Sequence, residues 1–188
     1  MRIRPYQPSD FEGIRNICLV TCHDPFLLEH TEVLWTKYAD YYTLKEPGNI
    51  FVAVDDDDTV KGYVLCSTDP ELYRSTWKNV YRPVLKGKGF LNNALQRFTE
   101  WEIGRMKKRG YSAHLHIDLH PDIQRMGIGT QLMDALIAHL REKSTDGVYL
   151  GCSTGNPGGN AFYQKYGFTL LKKIPACNLY GYKLKGRF

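Results

Sequence analysis

Residues 111–142 constrain the fold more than any other stretch. Residues 114–120 read HLHIDLH, in which Leu115, Ile117 and Leu119 alternate with His114, His116, Asp118 and His120. A period of two is that of a β-strand with one apolar and one polar face. The strand is followed by Pro121-Asp122-Ile123 and then by Gln124-Arg125-Met126-Gly127-Ile128-Gly129-Thr130. From Thr130 to Glu142 the residues Leu132, Met133, Leu136, Ile137 and Leu140 recur at helical spacing. A strand, a Gly-x-Gly turn and an amphipathic helix in this order call for a helix packed on a sheet. Such a turn can also aim several backbone N–H groups, and the positive end of a helix dipole, at one point. That is a cradle for a pyrophosphate.

The remaining chain extends this pattern. Met1–Pro5 alternates as a strand, and Ser9-Asp10 offers an N-cap to a helix carrying Phe11, Ile14, Ile17 and Cys18. Residues 25–43 predict a second helix. Asn49–Val54 and Val60–Ser67 predict a hairpin joined by Asp55-Asp56-Asp57-Asp58, a solvated turn that lacks the Gly and distal Glu of a calcium loop. Residues 68–111 carry ten Lys and Arg, with KGKGF as a loop and Leu91–Lys108 as a helix. Gly147–Cys152 predicts a strand, Asn160–Tyr166 a short helix, and Phe168–Lys185 the last strands. Alternation of strands and helices in the second half indicates an α/β core with a covered sheet.

The 188 residues suit one domain, and 43% hydrophobic with 24% charged residues is a soluble balance able to fill a core. A net charge of +5 favours an anionic small partner but is too dispersed for nucleic acid. The five cysteines, Cys18, Cys22, Cys66, Cys152 and Cys177, form no CxxC pair. They suggest neither a disulfide framework nor a thiolate zinc knuckle, so a reducing cytoplasm is expected. MRIRPYQPSDF contains no apolar core of a signal peptide, and no apolar run is long enough to span a membrane.

QRMGIG resembles the Q/R-x-x-G-x-G/A signature of the GNAT N-acetyltransferases, which binds the pyrophosphate of acetyl-CoA. GNPGGNAFYQKYGF is similar to the ending of the same family, with Asn156 seven residues before Tyr163. The opening IRPYQPSDFEGIRNI and the hairpin NIFVAVDDDDTVKGYVL fit the resemblance, and 68–111 fits it least. The AHLHIDLHP run and the long 68–111 segment look most like bacterial acetyltransferases related to the acetyltransferase-like C-terminal domain of O-GlcNAcase.

The resemblance implies one GNAT domain over 1–188 of α/β (α+β) class. Its mixed central sheet would have about seven strands flanked by helices, with a V-shaped splay between the fourth and fifth strands. Strands 113–119 and 147–152 would hold the pantetheine arm of acetyl-CoA between them, with 68–111 covering the acceptor cleft. Gln124, Arg125, Met126, Gly127, Ile128, Gly129, Thr130, Asn156 and Tyr163 would bind the cofactor, and a main-chain N–H near Leu119 would face the thioester oxygen. Tyr163 would protonate the departing thiolate, since a phenol near pKa 10 stays protonated at neutral pH. The family's usual base positions here are Ala113, Leu115 and Gly151, none of which titrates. Asp118 and His116 remain as candidate bases, and an Asp deep in such a cleft has its pKa raised by desolvation. His114 and His120 are read as structural or solvent-facing, and Cys152 as a small buried hydrophobe. Trp35, Tyr38, Tyr41, Tyr42 and Trp77 are candidate acceptor walls. The expected activity is transfer of acetyl to a primary amine of a small acceptor, by direct attack in a ternary complex. No metal, nucleic acid or membrane takes part, and the expected state is a monomer or homodimer.

Two other readings stay open on the sequence. A catalytically silent CoA-binding module fits the missing usual base. HLHIDLH is also close to the H-x-H-x-D-H pattern of metal-dependent hydrolases, although a zinc site needs further ligands and the only later histidine is His139.

Overall fold

The computed structural model describes residues 1–85, 105–174 and 176–184. Seven strands form one sheet: β1 (Arg2–Pro5), β2 (Ile50–Val54), β3 (Val60–Ser67), β4 (Ala113–Leu119), β5 (Gly147–Ser153), β6 (Thr169–Ile174) and β7 (Cys177–Lys183). Their spatial order is β1-β2-β3-β4-β5-β7-β6, and every pairing is antiparallel except β4 with β5. A mixed α/β sheet of seven strands is the class the sequence indicates.

Helices cover both faces. On one lie α1 (Phe11–Val20), α2 (Pro25–Glu29), α3 (Thr31–Tyr38), α4 (Asp40–Lys45), α5 (Pro70–Thr76) and α6 (Arg82–Leu85), with a π-helical turn at Trp77–Tyr81 before α6. They bury Ile14, Ile17, Leu34, Tyr41, Tyr42, Tyr73 and Trp77 against Val52, Tyr63 and Leu65 of the sheet. On the other lie α7 (Ile128–Glu142) and α8 (Pro157–Tyr166). Here Leu132, Met133, Leu136, Ile137 and Leu140 meet Val64, Leu115, Val148 and Leu150. Each such side chain contributes about 1.5–3 kcal/mol by leaving water, which is what fixes α7 to the sheet.

Two local expectations need correction. Residues 25–43 form three short helices rather than one. Asp24 caps α2 ahead of Pro25, and the backbone leaves the helical region at His30 (φ −127°, ψ 65°) and Ala39 (φ −130°, ψ −57°). Asp10 does not cap α1 with its side chain. Its carboxylate instead accepts from the Arg4 guanidinium at 2.7 and 2.8 Å and from the Gln7 N–H at 2.7 Å, tying β1 to the turn before α1. In the basic segment, 70–85 is helical, whereas KGKGF and most of the helix expected over Leu91–Lys108 lie outside the described residues. The Asp55–Asp58 run is a turn. Asp55 accepts from the Asp57 and Thr59 N–H groups, and Asp58 pairs with Arg2 and Arg4. No helix among the described residues is long and apolar enough to cross a membrane.

Candidate active site

β4 and β5 pair only at their beginnings, Ala113 with Val148 and His114 with Tyr149. Beyond that β4 follows β3 and β5 follows β7, so the two parallel strands separate. The gap is a cavity of about 130 Å³ lined by Leu115 to Asp118 on one strand and Leu150 to Ser153 on the other, with Asn156 and Tyr163 also on its wall. A larger apolar hollow of about 390 Å³ lies between Tyr6, Phe11 and Leu44, away from these groups. It holds no side chain able to move a proton near neutral pH, so the smaller gap is the candidate site.

Main-chain groups are available in the gap. The His120 N–H donates to the Lys61 carbonyl at 2.8 Å, which sets the alternation of the antiparallel β3–β4 ladder. Asp118 and His116 therefore bond to β3, while Ile117 and Leu119 direct their N–H and C=O groups toward β5. The Leu119 carbonyl is taken by Gln124 Nε2 at 3.1 Å, and this bond draws the following loop onto the end of β4. Gly62 on β3 permits the close approach: a Cβ there would lie 2.5 Å from Leu119 Cδ2.

The loop itself turns through two left-handed residues, Arg125 (φ 63°) and Gly127 (φ 81°). Glycine adopts that conformation without the cost a Cβ brings. Gly127 caps α7, leaving the N–H groups of Ile128 and Gly129 at the head of the helix without helical acceptors. The Thr130 N–H donates to the Gly127 carbonyl at 3.1 Å. Met126 is 63% exposed on the loop's outer side. Asn156 caps α8 by accepting from the Gly159 N–H at 2.8 Å, while still lining the gap.

The polar face of β4 turns toward the aromatic layer. His114 is buried, its Nε2 2.8 Å from the Tyr42 hydroxyl and its ring 4.2 Å from Tyr73. Burial pushes its pKa down to about 3, so it is neutral at physiological pH. His116 stands edge-on to Tyr38 at 5.1 Å, and burial with the nearby Lys37 charge lowers it to about 4. Asp118 accepts a 2.6 Å bond from the Tyr63 hydroxyl. Burial raises its pKa to about 6, against the Tyr63 bond, which stabilises the charged form. Tyr163 is 9% exposed, and burial with the Asp118 charge pushes its phenol well up. The Cys152 thiol is buried and raised to about 11, which keeps it protonated as a small apolar group.

His120 leaves this face. Its Nδ1 accepts from the Asp122 N–H at the turn after β4. With His114 fixed to Tyr42 and His120 turned outward, HLHIDLH does not gather its histidines on one point. Among the described residues no three His, Cys, Asp or Glu side chains are placed to hold a metal ion.

The structure thus brings His116, Asp118, Asn156 and Tyr163 to one gap, with the Gln124–Gly129 loop immediately beyond β4. Of the candidate walls, Tyr38 and Tyr42 pack on His116. Trp35 is engaged with Arg15, Tyr41 donates to Glu46, and Trp77 packs on Tyr73 and Tyr81. Sequence reasoning missed Tyr63 and Lys37. Tyr63 becomes visible only through the β3–β4 register, which sets it opposite Asp118.

Comparison with known proteins gives one family and a consistent fold. Residues 15–168 match the model of the acetyltransferase (GNAT) family. The crystal structure of SsHAT is 27% identical over 98% of both chains, with a TM-score of 0.80. A mutant agmatine N-acetyltransferase in its apo form is 14% identical over 97% of this chain and 98% of its own, with a TM-score of 0.67. Ard1 from Thermoplasma volcanium is 20% identical over 96% and 93%, with a TM-score of 0.58. At these identities the last two establish a shared fold.

Proposed function

The chain belongs to the acetyltransferase (GNAT) family, which uses acetyl-CoA, and on that premise we propose that it acetylates a primary amine of a small acceptor. The reading is carried by one observation: the β4–β5 gap is lined by both a carboxyl titrating near neutrality, Asp118, and a protonated phenol, Tyr163. Amine attack on a thioester needs one group to take a proton and another to give one.

The residues present fit acetyl-CoA. Left-handed Arg125 and Gly127 open the loop at the head of α7, where free N–H groups and the helix dipole favour a pyrophosphate. The unpaired edges of β4 and β5 offer main-chain partners to an extended amide-bearing arm. When bound, acetyl-CoA supplies an acetyl group activated as a thioester.

The protein's residues would do the rest. Gln124 through Thr130 would anchor the phosphates, and Asn156, on the wall of the gap, would also contact the cofactor. The Leu119 N–H is the donor for the carbonyl oxygen as negative charge builds on it. Asp118, ionised above about pH 6, receives the amine and takes its proton. His116 is uncharged at neutral pH and orients the amine. Tyr163 Oη gives its proton to the leaving thiolate. Attack is direct, because Cys152 stays protonated and engaged with the Ser153 carbonyl.

Within the family we place the chain nearest the bacterial enzymes related to the O-GlcNAcase C-terminal domain, on the AHLHIDLHP run and the 68–111 segment. We further propose a single domain over 1–188, acting in the cytoplasm as a monomer or homodimer. Its five cysteines supply the argument for a reducing compartment, the described ones all being free. The competing reading, a silent CoA-binding module, rests on the non-titrating Ala113, Leu115 and Gly151. Calorimetry with acetyl-CoA followed by a thiol-release screen over primary amines separates the two. Binding with amine-dependent release supports the enzyme, and binding without release supports the module.

A further inference from the structure

Lys37 lies in the last turn of α3 with its Nζ 5.4 Å from the centroid of the Tyr38 ring. The same ring stands edge-on to His116 at 5.1 Å, so Lys37 and His116 flank one tyrosine beside the proposed acceptor cleft. The lysine is partly buried, and among the described residues no carboxylate lies within ion-pair distance of it. Asp24 attracts it from farther away, but the Asp24 carboxylate is engaged in capping α2 through the Phe26 and Leu27 N–H groups. Burial outweighs that attraction and lowers the ammonium's pKa. An ammonium withdrawn from water without a close counter-charge is unfavourable, and an anion arriving with a ligand relieves it.

Resting on the acetyl-transfer reading above, we infer that the acceptor is an amino acid-like zwitterion, whose carboxylate is received by Lys37 while its amine meets Asp118. The two charges of the cleft then select both ends of one molecule. Tyr38, half-buried and packed on His116, provides apolar surface beside them. A neutral His116 adds no second positive charge that would compete for the carboxylate.

The test is a ladder of straight-chain ω-amino acids, from glycine to 6-aminohexanoate, each paired with the alkylamine of equal chain length. Acetyl-CoA-dependent thiol release is measured for both members of each pair. On at least one rung the amino acid is expected to exceed its alkylamine roughly tenfold or more in kcat/KM, the scale of one charge-assisted contact. Lys37→Met should collapse that ratio through KM of the amino acid, and Lys37→Arg should preserve it. Alkylamines equal to or better than the amino acids on every rung overturn the inference while leaving amine acetylation standing. So does a Lys37→Met variant that weakens both members of a pair equally. Absence of release with every amine removes the acetyl-transfer reading, and this inference with it.

Discussion

The Tyr63 hydroxyl donates a 2.6 Å hydrogen bond to Oδ2 of Asp118 across the β3–β4 pair. Two opposed effects meet on this carboxyl. Burial raises its pKa and the Tyr63 bond lowers it, with a net value of about 6. Asp118 is therefore ionised at neutral pH yet basic enough to accept a proton there, which a surface carboxylate near its ordinary value does poorly. With Asp118 as the proposed base, Tyr63 would act on the reaction through it, as a positioning residue.

Tyr63→Phe removes the donor and leaves the burial. The Asp118 pKa should rise above about 6, and the acidic limb of kcat/KM should move to higher pH by roughly one unit, on the scale of a bond to a charged group. Activity should fall more at pH 6 than at pH 8. A pH–rate profile of variant against wild type reads this, and a uniform loss at every pH would contradict it.

Asp118→Asn should lower turnover by roughly 10²–10⁴-fold while acetyl-CoA still binds. It should also stabilise the fold in a defined pH window. The folded pKa of Asp118 lies above its ordinary 3.8, so folding favours the protonated form. Its contribution is full below that value and is lost as pH rises through about 6. The variant should gain on the order of 1–3 kcal/mol over wild type at pH 8 and little at pH 4. Thermal melts at the two pH values test the sign.

Tyr163→Phe should reduce turnover at all pH values where Asp118 is ionised, by roughly 10²-fold or more, with acetyl-CoA affinity little changed. Phe keeps the ring contacts with Phe168 and Tyr180, so folding should survive. Unchanged turnover across the profile would show that the thiolate takes its proton elsewhere.

Gly127→Ala places a Cβ in a left-handed residue, φ 81°, although the space around it is open. Strain alone should therefore cost about 1–2 kcal/mol. Calorimetry should show acetyl-CoA binding weakened about tenfold with only a small drop in melting temperature. Equal affinity for both proteins would detach the loop from the cofactor.

The parts legible in the sequence are those set by local periodicity. HLHIDLH alternates because β4 has one face on α7 and the other on the aromatic layer, and α7 repeats because one stripe of it is buried. Gly127 stands out because few residues other than glycine adopt its backbone readily. The rest depends on which strands become neighbours. Tyr63 meets Asp118, and Tyr42 meets His114, across separations of 55 and 72 residues that no window in the sequence spans. The breaks at His30 and Ala39 fall at no Gly or Pro, the residues that mark helix ends in a sequence. Asp10 carried a capping signal that Arg4 diverted, because a buried guanidinium–carboxylate pair outcompetes a cap.

The most direct measurement is thiol release from acetyl-CoA over a panel of primary amines and amino acids, for wild type and Asp118→Asn side by side. The expected result is amine-dependent release by the wild type, an acetyl mass increment on the amine, and loss of both in the variant. Wild-type protein that binds acetyl-CoA yet releases no thiol above the buffer rate with any amine would contradict acetyl transfer at the β4–β5 gap. So would a variant as active as the wild type.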